Sequence, residues 1–63
     1  MMLYFTDAIN GNSVAINPKY VTAVFVVDEG EHKGKTVINM TSGTLLTNDS
    51  QLDVVGRING EFK

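Results

Sequence analysis

Tyr20-Val21-Thr22-Ala23-Val24-Phe25-Val26-Val27 is rich in strand formers and apolar on both of its sides. Side chains alternate between the two faces of a strand, so Val21, Ala23, Phe25 and Val27 line one side while Tyr20, Thr22, Val24 and Val26 line the other. Both sides then demand cover. One helix roofs one side of a small sheet, and the other side must be buried by curling the sheet into a barrel or by a second copy of the chain.

The size of the chain sharpens that demand. Its 63 residues make a single β-rich domain, 1–63, and a chain of this length buries only about 60% of the surface it exposes when unfolded. Without cysteine it forms neither disulfides nor a thiolate zinc site, which leaves oligomerisation as the common remedy for a small core. A composition 43% apolar and 19% charged fits a folded chain rather than a disordered one. The formal net charge of −2 gives no overall attraction to nucleic acid or to an anionic membrane surface. No apolar run approaches the roughly 20 residues that span a bilayer. The start Met1-Met2-Leu3-Tyr4-Phe5 lacks the basic flank and cleavage site of a signal peptide. A cytoplasmic protein is expected, in the host cytoplasm if viral.

Turn chemistry divides the remainder. Asn10-Gly11 supplies the positive φ angles of a tight two-residue hairpin turn, with strands at about 2–8 and 13–17 on either side. Such a turn sets Phe5 opposite Ile16 and Asp7 opposite Val14, so that Leu3, Phe5, Val14 and Ile16 share a face. Asp7 is the misfit on that face and is expected where the strand frays or bulges. Asn17-Pro18-Lys19-Tyr20 reads as a type I turn launching the long central strand. That strand ends in Asp28-Glu29-Gly30-Glu31-His32-Lys33-Gly34, an exposed polar loop, and Lys35–Thr41 returns as the fourth strand. Ser42-Gly43 makes a tight turn into Thr44–Thr47, bringing Leu45 near Met40 and Leu46 near Asn39. Ile38, Met40 and Leu45 fall on one side of this pair, Val37 and Leu46 on the other.

Beyond Thr47 the apolar period lengthens to that of a helix, with Leu52, Val55, Ile58 and Phe62 on one stripe. Ser50-Gln51-Leu52-Asp53 has the spacing of a capping box, and Asn59-Gly60 offers a helix end with Arg57 in the last turn.

Candidate chemistry is sparse. Asp28, Glu29, Glu31 and His32 crowd one loop, but they lack the graded oxygen pattern of a calcium loop and any zinc motif, and a solvated hairpin tip accounts for them. The lone histidine has no partnered nucleophile, and Ser13, Ser42 and Ser50 are explained by turns and a cap. Neither an enzyme, a metal nor a cofactor is expected. Lys19, Lys33, Lys35, Arg57 and Lys63 are the basic residues, and with the aromatic residues they could form a single-strand-binding groove. Lys33, Lys35 and Arg57 are the candidates for that role.

Laid out in order, the signals resemble the small FlbD (SwrD) proteins associated with bacterial flagellar motility. The likeness lies in Asn10-Gly11, in Ile16-Asn17-Pro18 followed by Tyr20-Val21, in Thr36-Val37-Ile38-Asn39-Met40-Thr41-Ser42-Gly43, and in Ser50 followed by Val54-Val55 and Ile58. The resemblance implies a small β fold without catalytic residues. In strand number, tight turns and double-sided strands the chain is also similar to Sm-like small β-barrels, a likeness that implies rings and RNA binding. Ser42-Gly43 stands where the Sm signature has a basic residue before glycine, and the helix follows the strands rather than preceding them.

The expectation is a mainly β fold with one C-terminal helix, in the order of five strands then helix, as a small curled antiparallel sheet or five-stranded barrel. Its expected work is non-catalytic binding as a homo-oligomer, in the manner of phage or bacterial accessory proteins, through Tyr4, Tyr20, Val24 and Val26. Val21 and Phe25 exchange roles with these if the helix covers the other face. The alternative is an Sm-like ring binding single-stranded RNA or DNA. Another protein as partner is compatible with either, and a membrane is not.

Overall fold

The computed structural model describes residues 2–61. Strand β1 (Leu3–Thr6) pairs with β2 (Ser13–Ile16), a 3-10 turn over Pro18–Tyr20 follows, and β3 (Val21–Val26), β4 (Thr36–Met40) and β5 (Gly43–Thr47) lead to helix α1 (Gln51–Glu61). The strands form two antiparallel sheets, β1-β2 and β3-β4-β5.

This overturns the expected curled sheet or five-stranded barrel, and with it the Sm-like likeness. Both sheets are open, and β2 is not a hydrogen-bonded neighbour of β3. The sheets touch through one isolated bridge between Asp7 and Thr47, continued by a bond from the Ala8 N–H to the Leu46 carbonyl at 2.8 Å. Closure would require β1 to run beside β5 for its whole length, with the tilt and stagger a barrel imposes. The pairing stops at these two contacts, and the Asp7 carboxylate accepts from the Ile9 N–H at 2.7 Å in a local turn beside them. The misfit aspartate does mark the end of the regular strand.

The first hairpin differs from expectation in register. Leu3 faces Ile16 and Phe5 faces Val14, where a two-residue turn would have set Phe5 against Ile16. The loop is longer because Asp7 accepts from the Gly11 N–H and donates to the Asn12 carbonyl, both at 2.8 Å. Among the described residues positive φ belongs to glycines alone, so Asn10 does not adopt the conformation of a type I′ turn, and Gly11 (φ 75°) carries the reversal by itself. The shift is by two, which preserves facing. Leu3, Phe5, Val14 and Ile16 all meet the core.

The β4–β5 hairpin behaves the same way. Leu45 faces Ile38, and Met40 faces Gly43, so the turn is Thr41-Ser42 and not Ser42-Gly43. The positive φ lies on Gly43, at +150°, immediately after that turn at the start of β5. Asn17 opens its turn as expected: its side chain accepts from the Lys19 N–H and its carbonyl from the Tyr20 N–H, each at 3.0 Å.

Strand β3 breaks the simple alternation. A bulge lies between Val21 and Ala23, where the Thr22 hydroxyl donates to the Asn39 carbonyl and accepts from its side-chain amide, both at 3.2 Å. One extra residue reverses facing along the strand. Val21 and Val24, assigned to opposite sides by alternation, therefore both pack against the core. Tyr20 lies in the 3-10 turn and not in the strand.

The core between the sheets and the helix is Phe5, Ile16, Ile38, Leu45 and Val54. Helix α1 turns a different stripe inward from the one expected. Val54 is fully buried, Ile58 packs beside it and Val55 is half-buried, whereas Leu52 is 83% exposed. At about 100° per residue, Leu52 points roughly 120–160° away from Val54 and Ile58. Phe62, the fourth member of the expected stripe, lies outside the described residues, as does Lys63. The Ser50 hydroxyl caps the helix, accepting from the Asp53 N–H at 3.1 Å. The helix runs through Asn59-Gly60 to Glu61 rather than ending there.

Candidate interaction surface

Two polar side chains of α1 fix the helix against strands that otherwise present bare backbone. Gln51 Nε2 donates to the Val24 carbonyl at 3.1 Å. Arg57 donates to the Tyr4 carbonyl at 2.8 Å, lies 4.2 Å above the centre of the Phe5 ring, and stands 3.8 Å from the Asp49 carboxylate. Arg57 thus joins helix to β1 by a charge-assisted hydrogen bond and a cation–π contact. Sequence reading placed it as a helix-end cation or a nucleic-acid contact. A phosphate would have to compete with all three of these contacts.

The other two basic candidates lie elsewhere. Lys33 is exposed and Lys35 half-buried, both on the loop between β3 and β4. The loop closes through Val27, whose N–H donates to the Lys35 carbonyl and whose carbonyl accepts from the Gly34 N–H, each at 2.9 Å. Among the described residues no group of three His, Asp or Glu side chains is arranged to hold a metal ion, and no helix is long and apolar enough to cross a membrane.

The four residues singled out for self-association are divided by the fold. Tyr4 is exposed on β1. Tyr20 is exposed beside an open cleft of about 310 Å³ that Met2, Ile16, Asn17, Met40 and Ser42 also line. Val26 is exposed near the end of β3. Val24 turns the other way and packs against the core, so β3 presents Phe25 on its outer face, while Val26 shares the face of Val24 and is exposed at the strand's end. Phe25 is the residue alternation left as the exchange partner. Cross-strand register aligns it with Val37 and Leu46 in one row across the three-stranded sheet. Ile9 and Leu52 are further exposed apolar side chains. The strand pattern had no means of placing either one.

The chain matches no protein-family model, no curated protein and no solved structure. The likeness to the FlbD (SwrD) proteins therefore has no homologue behind it, and the open sheets remove the likeness to Sm-like barrels.

Proposed function

We propose that this chain is a non-catalytic interaction module that works as a homo-oligomer. The observation carrying this reading is the imbalance between core and surface. Five apolar side chains are buried, while Tyr4 is 62%, Tyr20 55%, Phe25 49% and Val26 42% exposed. Fully burying one such side chain contributes roughly 1.5–3 kcal/mol, so covering the exposed halves of these four would add roughly 3–6 kcal/mol. That is comparable to the whole stability of a domain of this size, at about 0.05–0.15 kcal/mol per residue. Self-association is the route open to a chain without disulfides. Sedimentation velocity at tens of micromolar tests the reading. A dimer or higher oligomer is expected, and a monomer throughout that range overturns it.

A further inference from the structure

Resting on the homo-oligomer reading, we infer that a second copy of the chain pairs antiparallel along the outer edge of β3 about a two-fold axis. Strand β3 ends its sheet, and its outward groups can be identified. Val27 turns its N–H and carbonyl toward the returning arm of the loop, so Val24 and Val26 turn theirs away from β4. The Val24 carbonyl is indeed met on the outer side, by Gln51. Edges are normally blunted by charge, by proline, by a bulge or by a covering element. The segment Val21–Val26 has neither charge nor proline, α1 reaches its outer backbone through the Gln51 bond to Val24, and the bulge at Thr22 leaves Ala23–Val26 as the part that can pair.

Charge at the two ends of the strand selects the occupant and its direction. Exposed Lys19 precedes β3, and exposed Asp28, Glu29 and Glu31 follow it directly, with Lys33 and Lys35 further along on the returning arm of the loop. An antiparallel two-fold pair brings each basic start to the partner's acidic end, twice over, whereas a parallel pair would set acid beside acid. The pairing joins the two three-stranded sheets into one and covers Phe25 and Val26. Gln51 holds the Val24 carbonyl until a partner N–H displaces it.

Sedimentation equilibrium on three variants tests the pairing. Val26→Pro removes an outward N–H without touching the bonds to β4, and the dimer should dissociate while circular dichroism is unchanged. Lys19→Glu should weaken association about tenfold through two reversed surface pairs, and Lys19→Glu with Glu29→Lys should restore it. Should Val26→Pro unfold the chain, the two charge variants decide alone. A wild-type monomer defeats both this inference and the reading beneath it. A dimer indifferent to the charge variants, or to a folded Val26→Pro, overturns the β3 pairing alone and leaves self-association through another face.

Discussion

Thr36→Val should stabilise this protein. Thr36 is fully buried in β4, and its hydroxyl is without a hydrogen-bond partner among the described residues. A buried hydroxyl with no partner forfeits its hydration for nothing, at about 1–3 kcal/mol. Valine has nearly the same shape, keeps the branched Cβ that suits a strand, and places a methyl where the oxygen stood. The gain expected is about 1–3 kcal/mol, which in a domain of 60–100 residues raises Tm by roughly 4–8 °C per kcal/mol. With a urea m-value of about 1 kcal/mol/M, the unfolding midpoint should move up by about 1 M or more. The neighbouring position is the control. Thr47, opposite Thr36 and equally enclosed, accepts from the Asp49 N–H at 3.3 Å. Thr47→Val should gain nothing and lose about 0.5–1.5 kcal/mol. If Thr36→Val leaves the midpoint unmoved or lowers it, the hydroxyl is satisfied and the reasoning fails.

Further substitutions test other parts of the fold by the same urea titration. Val54→Ala should cost about 2–3 kcal/mol in lost burial and cavity, while Leu52→Ala should change stability by less than about 0.5 kcal/mol; comparable losses at both would mean that α1 is rotated from its described position. Arg57→Met, which keeps the length of the side chain but not its donors, should cost about 1–3 kcal/mol. Persistence of most of that loss in high salt would separate the bond to Tyr4 and the Phe5 contact from the exposed pair with Asp49. Gly43→Ala has open space for its methyl but a φ of +150°, so a loss of about 1–3 kcal/mol from backbone strain alone is expected. An unchanged midpoint would place Gly43 in a different turn.

Local features were legible where a single residue type dictates geometry. Asn17-Pro18 opens a turn because the Asn side chain accepts two residues ahead and Pro fixes φ. Ser50 caps the helix for a similarly local reason. Facing was also legible in both hairpins, even though each register was misplaced, because a slip of two residues returns every side chain to its own side. The candidate surface was less accessible. Alternation left open which face of β3 is covered and put Val21 and Val24 on opposite sides, but a bulge arises from the fit between strands, here through Thr22 and Asn39, and leaves no periodic trace. Arg57 could not be recognised as a clamp until the helix lay over Phe5 and Tyr4.

The sequence by itself determined the order of strands and helix, the stretches within which the chain reverses, and the pool of apolar side chains from which the core is drawn. Each of these follows from backbone preferences or side-chain periodicity acting within a few residues. Tertiary structure decided the rest: that the sheets stay open, that α1 buries Val54 and exposes Leu52, and that β3 turns Phe25 outward. Those outcomes depend on contacts between residues far apart in the chain, such as Asp7 with Thr47, Gln51 with Val24 and Arg57 with Tyr4. Their energies are realised only when distant segments meet, so no local pattern encodes them.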